Sequence, residues 1–247
     1  MLIKCIRGDV LKMKHQPITI AHIVIPVIIS FIFLGYYSIS NISQGSMITA
    51  FYEAIGAGLP ILIGIFAAGM SEQEQNAGGY QNLCTTENRV TAFVSKVVTL
   101  AFMGLIALVL TAVIFGIGMN MILGKNAVEI KDYIIAALIM WYAGIPLYIL
   151  HTILAFNLGK GVSIGAGLLS GLISALLLTE LGTIIWKYVP FSWTTRIPYS
   201  YLCLRMGEVN VQNDMVKSVS YLTVLTVIGV VYYMFWASRW EGNKVYE

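Results

Sequence analysis

Charged residues divide this chain into long stretches that carry no charge at all. Lys14 to Glu53 encloses 38 uncharged residues, Glu53 to Glu72 encloses 18, and Lys96 to Lys125 encloses 28. Asp132 to Lys160 encloses 27, Lys160 to Glu180 encloses 19, and Lys217 to Arg239 encloses 21. A helix needs about 20 predominantly apolar residues to cross the hydrocarbon of a bilayer. The gaps therefore predict six spans, at 18–40, 50–70, 97–120, 133–156, 162–186 and 218–238. The runs are continuous, whereas a porin-like barrel alternates in segments of about ten residues. The expected fold is an all-α polytopic membrane protein with six transmembrane helices. Of 247 residues, 58% are hydrophobic and 11% charged, against about 25% charged in soluble domains. Disorder is excluded by that hydrophobicity. A net charge of +3 is too small for a face that tracks phosphates, so nucleic acid is not an expected partner.

Cys5, Cys84 and Cys203 have no CxxC spacing, and an odd count argues against a disulfide framework. His15, His22 and His151 show no HExxH spacing, so no metal site is expected. The first apolar run is too long for a secretory h-region and lacks an A-x-A cleavage site, which makes it the first membrane helix.

Orientation follows from the basic residues. Lys4, Arg7, Lys12 and Lys14 precede the first span, while the next loop, near 41–49, carries none. The positive-inside rule then places the N-terminus in the cytoplasm, and six spans return the C-terminus there. Residues 2–14 put Leu2, Ile3, Ile6, Val10 and Met13 on one helical face, with Lys4, Arg7, Asp9, Lys12 and Lys14 largely on the other. Segment 1–17 is thus expected to lie along the inner membrane surface, either as a topology anchor or as a mechanical elbow feeding the first span.

The cytoplasmic segment 71–96 is long for a connector, which suits either a docking role or a solvated loop. Ser71 ahead of Glu72 and Glu74 is expected to cap a short helix that Gly78-Gly79 interrupts. In the fifth span Gly161, Gly165, Gly167 and Gly171 form two overlapping small-xxx-small pairs. They serve packing within the monomer or a subunit interface. Glu180 is the one acid well inside a predicted span, about two turns before Lys187. A structural pair, a neutral carboxyl or a substrate contact would each accommodate it. Across 187–217, Pro190 and Pro198 preclude one continuous helix. Phe191, Trp193, Tyr199 and Tyr201 suit the headgroup boundary, in short helices dipping into the outer leaflet or in an aromatic belt.

Gly159-Lys160-Gly161 lacks the earlier glycine of a phosphate loop, and neither a GxSxG elbow nor a zinc-protease motif is present. No catalytic residue is assigned, so any energy for transport comes from a partner or an ion gradient. A proton-coupled transporter using Glu180 is the reading that dispenses with a partner.

The interfacial elbow, the six spans and the loop Glu72-x-Glu74, Gly78-Gly79, Leu83, Arg89, Ser95-Lys96 together resemble an ABC-2-type transporter permease. The opening Leu11-Lys12-x-Lys14-x-x-Pro17-Ile18 with Pro26 is similar to permease subunits of lantibiotic-immunity transporters. The resemblance implies a bacterial cytoplasmic-membrane complex in which ATP and Mg²⁺ are bound by a separate ATP-binding subunit, with no cofactor on this chain. It implies a second permease, different or identical, and a peptide substrate taken from the membrane. By the same resemblance Glu72, Glu74, Gln75, Gly78, Gly79, Tyr80 and Arg89 seat on the ATPase. Glu180, Trp193, Tyr199 and Tyr201 are the expected substrate-pathway residues.

Overall fold

The computed structural model describes residues 1–14, 16–86, 88–125 and 127–242, and these contain helices and no strand. Helix α1 (Leu2–Met13) precedes α2 (Pro17–Ile39), which Pro17 opens at a position where a missing N–H is harmless. Helix α3 (Gln44–Asn76) starts on Ser43, whose hydroxyl accepts the Ser46 N–H. A single turn, α4 (Gln81–Cys84), leads to α5 (Arg89–Ile117), capped by Asn88 and extended by a π-turn over Gly118–Ile122. Helix α6 (Ile130–Leu158) begins with a reciprocal capping box between Glu129 and Asp132. Next come α7 (Lys160–Leu176), α8 (Trp193–Arg205) and α9 (Gln212–Arg239). Pro60 and Pro146 lie inside α3 and α6 without ending either helix.

Five helices are long and apolar enough to span a bilayer: α2, α3, α5 with its π-turn, α6 and α9. The expected span 162–186 needs correction at its end, because α7 stops at Leu176 after 17 residues. That is about 25 Å at 1.5 Å per residue, the short limit for a crossing. Three 3-10 turns carry the chain from Glu180 to Ser192. Arg196 explains the early stop: its Nε and Nη2 donate to the Leu177 carbonyl at 3.1 and 2.7 Å, and Nη2 donates to that of Thr179 at 3.3 Å. Those carbonyls need no further helical turn to be satisfied. Gly182 lies so close that a Cβ there would sit 2.1 Å from the Leu177 oxygen.

Central helices α3, α5 and α6 bury 44–56% of their apolar windows, whereas α2 and α9 bury 17% and stand at the periphery. Phe51 of α3 stacks on Phe115 of α5 at 3.5 Å between ring centroids. Trp141 Nε1 of α6 donates to the Ala101 carbonyl at 2.7 Å. Thr194 Oγ1, at the start of α8, donates to the Gly56 carbonyl at 2.9 Å. Gly56 lies about 18 Å along α3 from Gln44 at helical rise, so α8 begins deep in the bundle. Its other end returns to the start of α6, where Tyr201 and Arg205 meet Asp132.

Ion pairs and hydrogen bonds gather α1, the end of α3, residues 77–86, the start of α5, the α6–α7 joint and the end of α9 at one pole. Lys12 meets Glu74, Lys160 meets Glu72, and Arg89 meets the Trp240 carbonyl. N- and C-terminal helices thus finish on the same side.

Candidate functional site

At that pole a charged cluster is enclosed by three helices. Lys96, in the second turn of α5, lies 2.7 Å from Glu74 of α3 and 3.2 Å from Asp9 of α1. Lys12, one turn beyond Asp9, approaches the same Glu74 oxygen at 2.7 Å. Ser95 donates to the other oxygen of Asp9. Two carboxylates and two ammonium groups make the cluster neutral, and Lys12 alone is substantially exposed. Such enclosure is tolerated only because each charge has partners.

The cluster revises the reading of the elbow helix. Asp9, expected on the polar face, is buried together with Met13, whereas Ile3 is 73% exposed and Val10 and Leu11 are exposed too. Helix α1 turns an acid inward, where Lys96 and Ser95 satisfy the carboxylate, and leaves Ile3 and Val10 facing away from the bundle.

The adjoining segment also differs from expectation. Ser71 does not cap a separate short helix; α3 continues unbroken to Asn76. The Ser71 hydroxyl is buried, donating to the Ala155 carbonyl and bonded to Tyr80 OH, each at 3.0 Å. Gly78, Gly79 and Tyr80 then take φ of 127°, 59° and 66°, which reverses the chain. A tyrosine in the left-handed region is strained, and its buried ring, edge-on to Trp240 at 5.5 Å, holds it there. Arg89 braces the connection by donating to the carbonyls of Trp240 at 3.0 Å and Cys84 at 3.3 Å.

Of the residues expected to seat on a partner, Gln75, Gly78 and Gly79 are exposed, Glu72 and Arg89 are half-buried, and Glu74 and Tyr80 are buried. Glu72 pairs with Lys160. The Glu74 carboxylate therefore faces the cluster and not the surface. Gln81 and Asn82, both exposed, complete the outward turn. Glu87 lies outside the described residues, as do His15, Asn126 and residues 243–247.

The residues expected along a substrate pathway are dispersed. Glu180 starts the first 3-10 turn, exposed, without a side-chain hydrogen bond or ion pair among the described residues. It is not inside a helix, because α7 has already ended. Lys187 pairs with Asp214 at 2.8 Å instead, and that hydrogen bond holds its ammonium above the ordinary lysine range. Trp193 is buried and donates from Nε1 to the Lys187 carbonyl at 3.0 Å, so it locks the turn and does not face the headgroup boundary. Tyr199 is half-buried beside Arg196. Tyr201 donates to Asp132 at 2.9 Å. Burial and then that bond push its phenol up to about 12, so it stays a donor.

The four glycines of α7 divide into two pairs. A Cβ on Gly167 would sit 2.9 Å from the Pro60 carbonyl oxygen, and one on Gly171 would sit 2.9 Å from that of Ala57. These two let α7 lie backbone to backbone on α3. Gly161 and Gly165 have nothing within 4 Å of such an atom, and exposed Leu168, Leu169 and Leu172 continue from them.

Sequence reasoning missed an apolar cleft under α2, lined by His22, Pro26, Gly58, Phe66, Gly104 and Tyr148 among others. Gly104 was its only signal: a Cβ there would overlap the Tyr148 hydroxyl. The Asp9–Lys96 and Asp132–Arg205 partnerships were missed as well, since they join residues far apart in sequence.

Two further observations bear on identity. A family model described as ABC-2 family transporter protein matches residues 5–185. No curated protein and no solved structure is matched by the chain.

Proposed function

This chain belongs to the ABC-2 family of transporter proteins, and from that premise we propose that it is one permease subunit of an ATP-driven exporter for a lantibiotic-like antimicrobial peptide. ATP and Mg²⁺ are handled by a separate ATP-binding subunit, a second permease completes the pathway, and the complex confers immunity in a bacterial cell membrane. The observation that carries the reading is the pole at which α1, the end of α3, the turn over 77–86 and the end of α9 are tied together. A partner pressing on the turn Gln75–Asn82, exposed except at Tyr80, meets a braced seat. Displacement passes to α3 through the continuous helix, to α5 and α1 through Lys96, and to α9 through Arg89. A flexible loop would absorb the same push.

Orientation follows the basic residues. Toward this pole Lys4, Arg7 and Lys14 have no carboxylate partner among the described residues. At the opposite pole Lys131, Lys187 and Arg205 are paired with acids, and Lys125 donates to the Tyr37 carbonyl at 2.9 Å. Four basic residues in and just after α1, Lys4, Arg7, Lys12 and Lys14, against none in the connection between α2 and α3, accord with N-in, C-in. The second permease is placed on the open face of α7, along Gly161, Gly165 and the exposed leucines. The peptide class rests on the likeness of the opening sequence to lantibiotic-immunity permeases.

The test is expression with an ATPase and a second permease in a sensitive bacterium, scoring survival across several lantibiotics. Protection that disappears when ATP hydrolysis is blocked supports the proposal. Unchanged sensitivity to every lantibiotic, from a complex that assembles and hydrolyses ATP, leaves an ABC-2 permease with a different substrate.

A further inference from the structure

At the pole opposite the coupling turn, a polar cup opens where the π-turn after α5 and the starts of α6 and the 127–129 segment meet the end of α8. It is lined by Asn120, Glu129, Lys131, Asp132 and Arg205, with apolar residues between them. We propose that this cup binds a phospholipid headgroup whose phosphodiester is followed by a hydrogen-bond donor, as in phosphatidylethanolamine or phosphatidylglycerol.

The arginine is prepared for an oxyanion. Asp132 is buried and saturated: one oxygen accepts Arg205 Nε and Tyr201 OH, each at 2.9 Å, and the other accepts the Glu129 N–H at 3.2 Å. Arg205 is therefore fixed through Nε alone. Its two terminal nitrogens have no hydrogen-bond partner among the described residues, and its side chain is 45% exposed into the cup. A guanidinium held at one edge presents the remaining N–H groups to a phosphate with little further loss of freedom. Of the negative charges around it, Asp132 is committed to Arg205 itself, and Glu129 lies 2.7 Å from Lys131 in an exposed pair that partly offsets its charge.

The second half of the headgroup is read from Asn120. Its Oδ1 is shielded from solvent and has no hydrogen-bond partner among the described residues, while its Nδ2 is directed to the Val128 carbonyl at 3.5 Å. A shielded acceptor without a donor is costly. A turn of the amide toward the cup that Asn120 lines brings this acceptor to an ammonium or hydroxyl beyond the phosphate, whereas a quaternary choline offers it no donor. Asn120 belongs to the π-turn Gly118–Ile122, an element frequent at functional sites. The next two residues of that turn, Met121 and Ile122, are each 73% exposed and give the acyl chains an apolar surface beside the cup. The bilayer supplies such headgroups at the level where spanning helices end.

The test uses the full chain, purified after equilibration with vesicles of equimolar phosphatidylethanolamine, phosphatidylglycerol and phosphatidylcholine, with retained lipid quantified by mass spectrometry. Phosphatidylethanolamine or phosphatidylglycerol is expected to be enriched over phosphatidylcholine. Arg205→Lys is expected to reduce retention of the enriched lipid about tenfold, the loss of roughly one charge-assisted hydrogen bond. Asn120→Leu leaves the Arg205–Asp132 clamp untouched and is expected to abolish the preference between headgroups while the protein stays folded, so the proposal does not depend on Arg205→Lys folding. Equal retention of all three lipids by the wild type, or an unchanged preference in Asn120→Leu, overturns it. Inorganic phosphate that raises the thermal midpoint through Arg205 without any lipid preference also overturns it, identifying a free-phosphate site.

Discussion

Lys96 Nζ lies 2.7 Å from Glu74 Oε1 with both side chains 2% exposed, joining the start of α5 to the end of α3 beneath α1. Neither charge is replaceable alone, because removing one leaves the other enclosed without compensation.

Lys96→Met is accordingly expected to destabilise the folded chain by about 3–5 kcal/mol. The double variant Lys96→Met/Glu74→Met is expected to lose less than the sum of the two single variants, by more than the usual additivity error of about 0.5 kcal/mol. Thermal unfolding in mild detergent measures all three. Additive losses would mean that the pair does not act as a unit.

Exposure along the Gln75–Asn82 turn separates residues that the sequence treats alike. Photo-crosslinkers at Gln81 and Asn82, both exposed, are expected to capture the ATP-binding subunit, whereas one at buried Glu74 captures neighbours within the chain. Glu72→Gln removes a largely exposed pair with Lys160 and is expected to change stability by about 1 kcal/mol or less. Capture from position 74 and not from 81 or 82 would place the docking surface elsewhere.

Four glycines on one helix should respond in two ways. Gly167→Ala and Gly171→Ala push a methyl group against α3 backbone oxygens and Ile61, and each is expected to cost about 1–3 kcal/mol by overpacking. Gly161→Ala and Gly165→Ala meet open space and are expected to be neutral or slightly stabilising in the isolated chain, since alanine is the better helix former. Gly165→Leu is expected to weaken association with a second permease without lowering the monomer's thermal midpoint. Equal midpoints for all four alanine variants would contradict the packing of α7 on α3.

Topology is testable with cysteines introduced at Gln44 and Asn76, both exposed at opposite ends of α3, in a chain whose own three cysteines are replaced. Position 44 is expected to label in intact cells, and position 76 only after permeabilisation. Labelling in the reverse order would invert the orientation and move the turn after α3 outside the cell.

Length and charge spacing were enough to specify helices, because an uninterrupted apolar run of about 20 residues has one low-energy arrangement in a bilayer. They located α2, α3, α5, α6 and α9, while helical periodicity marked α1 and the glycine pair Gly78-Gly79 marked a helix interruption. Sequence alone did not stop α7 at Leu176, because the stop depends on Arg196 reaching back from α8 to the Leu177 carbonyl. Nor did it divide Gly167 and Gly171 from Gly161 and Gly165, since a small-xxx-small pattern does not say which face another helix occupies. Asp9, Glu74 and Lys96 each read as surface charges beside a span. Only the convergence of α1, α3 and α5 brings them within ion-pair distance, where the pairing of enclosed charges decides their place and hydropathy does not.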